Sequence, residues 1–158
     1  MAKVILLCGM VCSGKTTYAQ ALMHQTGSVC LSCDELMLAL FTEPMGEDYD
    51  TALSRAKGYL YTLARQLVQT GVTVILDFGF WSRQERDEVR AMFAGYGMQT
   101  ELHYLKVNEE RWGQNIAARN KGCRNGDTAA YPIDEGLIHK CLMAFEEPAP
   151  GEADVTVG

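Results

Sequence analysis

The stretch GMVCSGKT at residues 9–16 matches the pattern G-x-x-x-x-G-K-[ST] of a P-loop, a turn of backbone that surrounds phosphate groups. It follows the almost wholly apolar run KVILLC at residues 3–8, which predicts a strand buried on both faces. Apolar residues at helical spacing follow between Lys15 and Gln25. A strand, a glycine-containing loop and a helix in this order are the context in which the pattern indicates phosphate binding.

Residues 9–16, here called the phosphate loop, have predicted roles in holding a triphosphate. Glycines let the backbone approach phosphate oxygens, and N–H groups at a helix N-terminus supply partial positive charge. Lys15 is expected to reach the β and γ phosphates of ATP, and the Thr16 hydroxyl is expected to bind Mg²⁺. The predicted nucleotide-binding residues are Gly9, Met10, Val11, Cys12, Ser13, Gly14, Lys15, Thr16 and Thr17. The alternative is a glycine turn followed by a surface lysine.

The rest of the chain alternates between strand and helix signals, without repeats or a low-complexity linker. Further strands are predicted at residues 28–31, 72–76, 100–107 and 153–157, and further helices at about 36–40, 51–70, 82–94, 109–120 and 132–145, with a loop at 122–128. This order predicts one α/β domain over residues 1–158. Its expected architecture is a doubly wound parallel sheet of about five strands, similar to P-loop nucleotide hydrolases and nucleoside monophosphate kinases.

The composition narrows the class of protein. The 158 residues carry a net charge of -6, with basic residues concentrated between positions 83 and 124. A short basic stretch in an acidic chain suits a phosphate pocket better than an extended nucleic-acid track. No apolar run approaches the roughly 20 residues that span a bilayer, so a cytoplasmic protein without a membrane partner is expected. The six cysteines are expected to be reduced, and the CxxC at Cys30 and Cys33 leaves a zinc site as a minor alternative.

Ligands of doubly wound sheets bind at the carboxyl ends of the strands. Asp77 follows the apolar predicted strand 72–76 in the way a Walker B carboxylate does. Asp77 and Thr16 are therefore the predicted Mg²⁺ residues. A carboxylate that merely ends a strand is the alternative for Asp77.

Three further segments carry a family resemblance: SCDELM at 32–37, VILDFGFWSRQERD at 74–87 and RWGQNIAARN at 111–120. Together with the phosphate loop, they make the chain resemble the zeta-toxin-like and polynucleotide-kinase-like ATP-binding proteins. That AAA-type group is related to chloramphenicol phosphotransferase and to small-metabolite kinases. The resemblance covers nearly the whole chain and implies an ATP-dependent phosphotransferase with an alcohol acceptor.

The resemblance also implies roles for individual residues. Asp34 matches the aspartate that lies beside the acceptor hydroxyl as a base or orienting group, although it suits a helix cap equally well. The family often has an arginine three residues later, where this chain has Met37. A lid is implied around residues 111–128, with Arg119 closing over the ATP phosphates. The implied catalytic residues are Lys15, Asp34 and Arg119.

Four other arginines have two possible uses. Arg111 and Arg124 flank or follow the lid helix, and Arg83 and Arg86 begin the helix after Asp77. Each is expected either to bind an anionic group or to belong to a solvated helix face.

The leading functional prediction is a kinase that moves the γ-phosphoryl group of ATP to a hydroxyl of a small molecule. The loop at residues 42–50 has four acidic residues and no basic one, which favours a cationic acceptor and disfavours nucleic acid. The alternatives are a polynucleotide 5′-hydroxyl kinase and a nucleotide-dependent regulatory ATPase. Neither the acceptor nor the oligomeric state is specified by these patterns.

Overall fold

The computed structural model describes residues 1–126 and 132–158. Its elements are β1 (Val4–Cys8), α1 (Lys15–Thr26), β2 (Val29–Ser32), α2 (Cys33–Leu40), a 3-10 turn (Gly46–Asp48), α3 (Tyr49–Gln69), β3 (Val74–Gly79), α4 (Arg83–Gly95), β4 (Thr100–Leu105), α5 (Glu109–Asn125), α6 (Glu135–Ala144) and β5 (Val155–Val157). None of the helices in these two ranges is long and apolar enough to cross a membrane.

The five strands form a parallel sheet in the order β2-β3-β1-β4-β5. This confirms the predicted α/β fold class and the strand number. The first strand lies at the centre, where Val4 is opposite both Val74 of β3 and Thr100 of β4. The phosphate loop therefore leaves the carboxyl end of the central strand, which is where ligands of such sheets bind.

The two faces of the sheet are covered by different helices, so every residue of β1 is buried. On one face, Val4 and Leu6 belong to a core with Ala64 of α3 and Phe93 of α4. On the other face, Ile5 and Leu7 pack near Ala19 of α1. Each fully buried aliphatic side chain contributes about 1.5–3 kcal/mol relative to exposure, so this strand anchors the loop that follows it.

Several predicted boundaries are wrong. Strand β3 continues past residue 76, because Asp77 pairs with Ser32 and Gly79 pairs with Cys8 in the parallel ladders. Residues 122–125 of the predicted loop at 122–128 belong to α5, and Gly126 ends that helix with a left-handed φ of 74°. The last two residues of that loop lie outside the described residues.

The helix predicted from residue 132 begins later. Its N-cap is Asp134, whose carboxylate accepts a hydrogen bond from the Leu137 N–H over 2.8 Å. Pro132 lies before the helix rather than in its first turn, because the capping carboxylate decides where the helical hydrogen bonds begin.

Candidate nucleotide-binding site

The phosphate loop has a backbone that only some residue types can adopt. Gly14 has a φ of 96° and Cys12 has a φ of 56°, both in the left-handed region. A Cβ atom at Gly9 would lie 2.5 Å from Ser13 Oγ and 3.0 Å from the Leu105 carbonyl oxygen, so a larger residue there would force these groups to shift. The Ser13 N–H donates to the Met10 carbonyl over 3.2 Å and closes the turn. These contacts give the glycines of the motif their structural reason.

Lys15 points its ammonium group into this loop. Its Nζ donates to the carbonyl of Met10 over 2.7 Å and to the carbonyl of Gly9 over 3.1 Å. Burial lowers the pKa of Lys15, and the charges of Asp77 and Asp34 oppose that effect. Carbonyls of the phosphate loop therefore hold the Lys15 side chain, where its ammonium group is suited to binding an anion.

Thr16 and Asp77 lie side by side at the carboxyl ends of the central strands. The Thr16 hydroxyl donates to Asp77 Oδ2 over 3.3 Å. Burial raises the pKa of Asp77, while Lys15 lowers it and the charge of Asp34 raises it further. One hydroxyl and one carboxylate are ligands that suit Mg²⁺ bound to a nucleotide, because phosphate oxygens and water complete the shell. The two predicted metal residues thus lie together and fit the ion.

Asp34 is exposed in the first turn of α2, close enough to influence the titration of both Lys15 and Asp77. The interpretation of Asp34 as the helix cap is wrong. The N-cap is Ser32, whose Oγ accepts a hydrogen bond from the Glu35 N–H over 3.2 Å. A serine two residues earlier performs the capping, which leaves the Asp34 carboxylate available for other contacts.

Arg119, the predicted lid residue, lies beside the phosphate loop. One of its guanidinium nitrogens is 3.9 Å from Cys12 Sγ. Arg111 and Arg124 are exposed at the two ends of the same helix, α5. The described part of the predicted lid at 111–128 is therefore helix up to Asn125. Residues 127 and 128 lie outside the described part, and the role of the lid stays a prediction.

Thr17, the last predicted nucleotide-binding residue, is exposed on α1.

Arg86 is buried, with only 1% of its surface exposed, so the expectation of a solvated helix face is wrong for it. Its guanidinium pairs with Glu152 over 2.6 Å and donates to the carbonyls of Phe80, Trp81 and Glu146 over 2.9, 3.2 and 3.0 Å. These contacts occupy the side chain within the protein. Arg86 thus stabilises the turn that follows β3. The last residue of β3, Gly79, contacts the phosphate loop, because its carbonyl accepts a hydrogen bond from the Gly9 N–H over 3.0 Å.

Arg83 has the exposed position expected for a solvated helix face. It pairs with Asp87 one turn along α4 over 3.1 Å, and more distantly with Glu152 over 3.5 Å.

Two residues that support the phosphate loop were missed by the sequence interpretation. Trp112 Nε1 donates to the Val11 carbonyl over 2.6 Å, and Asn115 Nδ2 donates to the Cys12 carbonyl over 2.8 Å. Together with Arg119 they occupy positions i, i+3 and i+7 of α5, which form one face of a helix. That spacing in RWGQNIAARN was the available signal, but it did not indicate which surface the face contacts.

The minor zinc alternative has no support in the described parts of the chain. Residues 1–126 and 132–158 contain no group of three or more His, Cys, Asp or Glu side chains arranged to hold a metal ion. Burial raises the pKa of Cys30 and that of Cys33 to about 12, so both thiols are protonated at neutral pH.

A cleft of about 500 Å³ opens one helical turn beyond Asp34, between α2 and the start of α3. Its wall includes the apolar side chains of Met37, Phe41 and Met45, and its acidic side chains are Glu43, Glu47 and Asp50, with Lys140 of α6 as the cation. The volume falls within the range of small-molecule sites.

The fold and the phosphate loop define a nucleotide-binding P-loop domain with the architecture of small kinases. The chain belongs to the AAA_33 family of AAA domains, whose model matches residues 4–148. No curated protein matches the sequence. The family match confirms the resemblance to P-loop ATP-binding proteins.

Several solved structures share the fold at low sequence identity. An unliganded sugar kinase from Janibacter sp. HTCC2649 is 18% identical, with a TM-score of 0.66 over 99% of this chain and 85% of that one. Kti12 of Chaetomium thermophilum in complex with ADP-AlF3 is 16% identical, with a TM-score of 0.74 over 98% and 88%. The Mycobacterium tuberculosis APS kinase CysC in complex with AMPPNP and APS is 16% identical, with a TM-score of 0.65 over 99% and 87%.

Proposed function

We propose that this protein is an ATP-dependent kinase that transfers the γ-phosphoryl group to a hydroxyl of a small molecule. The observation that carries the proposal is the convergence of Lys15, Thr16, Asp77 and Asp34 at the carboxyl ends of β1, β2 and β3. A cation, a pair of Mg²⁺ ligands and a carboxylate beside them are the groups that phosphoryl transfer to an alcohol requires.

In the proposed reaction, each residue acts on a defined atom. The acceptor oxygen forms a bond to the γ-phosphorus, and the bond between that phosphorus and the β–γ bridging oxygen breaks. The Asp34 carboxylate orients the acceptor hydroxyl and takes its proton. Lys15 and Arg119 stabilise the negative charge that gathers on the phosphate oxygens. When bound by Thr16 and Asp77, Mg²⁺ would neutralise further charge on the outer phosphates.

The cleft beside α2 is the proposed acceptor site, because it opens one turn from Asp34. Its acidic side chains, Glu43, Glu47 and Asp50, are exposed and outnumber Lys140. A negative potential of this kind attracts amines and repels polyanions. An amine-bearing alcohol fits the cleft better than the phosphate-rich end of a nucleic acid, which supports a small-molecule kinase over a polynucleotide kinase.

A regulatory ATPase is the candidate from a different class. It shares the phosphate loop and the Mg²⁺ ligands but needs no acceptor hydroxyl. The Asp34 carboxylate acts on the charge of Asp77 and lies one helical turn from an acceptor-sized cleft, which favours the kinase.

The test is an ATP-consumption screen across amino alcohols, aminoglycosides, sugars, nucleosides and oligonucleotides with free 5′-hydroxyls, at low salt. Mass spectrometry of each active mixture identifies the phosphorylated compound. We expect ATP consumption that depends on the presence of a small hydroxyl compound. Labelling of the oligonucleotide alone would support the polynucleotide kinase, and consumption that depends only on a protein partner would support the regulator.

A further inference from the structure

The phosphate loop is held from its outer side by one face of α5. Trp112 is 8% exposed, and its indole N–H reaches the Val11 carbonyl over 2.6 Å. Asn115 is half-buried one turn later, and its amide reaches the Cys12 carbonyl over 2.8 Å. Two consecutive carbonyls of the loop are thus bound by side chains that come from more than 100 positions away in the chain.

The direction of these carbonyls determines the direction of the loop amides. In a trans peptide unit, the C=O and the following N–H point in opposite directions. Binding the Val11 carbonyl to α5 therefore aims the Cys12 N–H away from α5. Binding the Cys12 carbonyl does the same for the Ser13 N–H, which donates to Met10 and closes the turn. The left-handed φ of 56° at Cys12 is unfavourable for a residue with a side chain, so this conformation needs outside support.

Helix α6 also lies near this position, where Cys141 is buried. Burial raises the pKa of the Cys141 thiol, and the Val11 backbone lowers it. Val11 is therefore held through its carbonyl by α5 and lies close to Cys141 of α6. Both helices lie in the part of the chain that follows β4, far from the motif in sequence.

We infer that Trp112 and Asn115 are positioning residues that hold the phosphate loop in the conformation that binds nucleotide phosphates. The inference rests on the nucleotide binding within the proposed function and not on the identity of the acceptor. In this role, Trp112 and Asn115 fix the phosphate loop against α5. Arg119, on the same face of the helix, lies beside the loop.

Asn120 offers a matched control on the same helix. Its side chain also bonds to backbone, donating to the Ile133 carbonyl over 2.8 Å and accepting from the Ile133 N–H over 2.6 Å. Asn120→Leu therefore removes the same kind of amide contact from α5 without touching the phosphate loop.

The test compares Trp112→Phe, Asn115→Leu and Asn120→Leu in the full chain, by calorimetric titration with Mg-ADP and by thermal melting without nucleotide. The Kd for Mg-ADP is expected to rise about 3- to 10-fold in each of the first two variants, the effect of losing one hydrogen bond. Asn120→Leu is expected to lower the melting temperature while leaving the Kd unchanged. Asn115→Leu keeps the test decisive should Trp112→Phe fail to fold.

The outcomes separate this inference from the kinase proposal. Equal Kd values in Asn115→Leu and the wild type, or an equal rise in Asn120→Leu, would overturn the positioning role. A wild type that binds Mg-ADP but phosphorylates no hydroxyl compound would refute only the kinase, and the Kd comparison would still decide the role of α5. A wild type that does not bind Mg-ADP would overturn both.

Discussion

The Thr16 hydroxyl donates a hydrogen bond to Asp77 Oδ2 over 3.3 Å, although the two residues are 61 positions apart in the chain. The contact joins the first residue after the motif lysine to the carboxyl end of β3. Parallel pairing of β1 with β3 explains how these distant residues meet, because it brings the carboxyl ends of both strands to one edge of the sheet.

Asp77→Asn is expected to lower the apparent affinity for Mg²⁺ in ATP turnover. The amide keeps the size of the side chain but loses the charge that attracts the cation, whether the carboxylate binds directly or through water. The Mg²⁺ concentration for half-maximal ATP turnover is expected to rise about 10- to 100-fold. Thr16→Ser, which keeps the hydroxyl, is the matched control and should change this value little. An unchanged Mg²⁺ titration in Asp77→Asn would remove Asp77 from the metal site.

Asp34→Asn is expected to separate binding from chemistry. Asp34 lies one helical turn from the proposed acceptor cleft, so the Kd for Mg-ATP should stay near the wild-type value. Transfer to the acceptor should fall by a factor of about 10² or more, the usual contribution of a general base. Glu35→Gln removes a charge from the same helical turn and serves as the control. If Asp34→Asn transfers phosphate at the wild-type rate, Asp34 takes no part in the chemistry.

Arg86→Leu is expected to destabilise the fold strongly. It leaves the Glu152 carboxylate and three carbonyls without their buried donor, and breaking a buried ion pair costs about 3–5 kcal/mol. Urea unfolding at neutral pH measures the change in the free energy of unfolding. Arg83→Ala, an exposed neighbour on α4 that also approaches Glu152, should change it by less than about 1 kcal/mol. Similar losses of unfolding free energy in both variants would show that burial of Arg86 does not determine its contribution to stability.

The same ion pair predicts a pH dependence of stability. Burial raises the pKa of Glu152, but hydrogen bonds from Arg86 and the Ala149 N–H outweigh burial, so its pKa lies below the ordinary value. The contribution of Glu152 is therefore complete above the pKa of an unfolded glutamate and is lost as pH falls through the folded pKa. Glu152→Gln should flatten the acid side of a plot of unfolding free energy against pH. If the unfolding free energy of Glu152→Gln falls with acid as steeply as that of the wild type, Glu152 is not a source of this pH dependence.

The parts of the fold that the sequence predicted correctly rest on local patterns. The apolar run before Gly9, the motif itself and the helix after it are all within 26 residues, and their order predicts the central βα unit. The place of Asp77 near the carboxyl end of β3 was also predictable from the adjacent strand pattern, although the strand runs further than predicted.

The missed features depend on contacts between distant segments. The local sequence of α4 gives no sign that Arg86 is buried, because its partner Glu152 lies 66 positions away. The same holds for Trp112 and Asn115, whose acceptors in the phosphate loop are more than 100 positions away. Ser32 and Asp34 are both good capping residues, so only the observed hydrogen bond to the Glu35 N–H decides between them.

The most direct test of the account is the stabilisation of the protein by Mg-ATP in the wild type and in Lys15→Ala. A ligand at about 100 times its Kd stabilises the folded state by about 2.7 kcal/mol, which raises the melting temperature by roughly 5–10 °C for a chain of this size. Lys106→Ala removes an exposed lysine far from the motif in sequence and is the control. The wild type and Lys106→Ala are expected to show the full shift in melting temperature, and Lys15→Ala is expected to lose most of it. A full shift in Lys15→Ala would contradict the assignment of residues 9–16 as the nucleotide-binding loop.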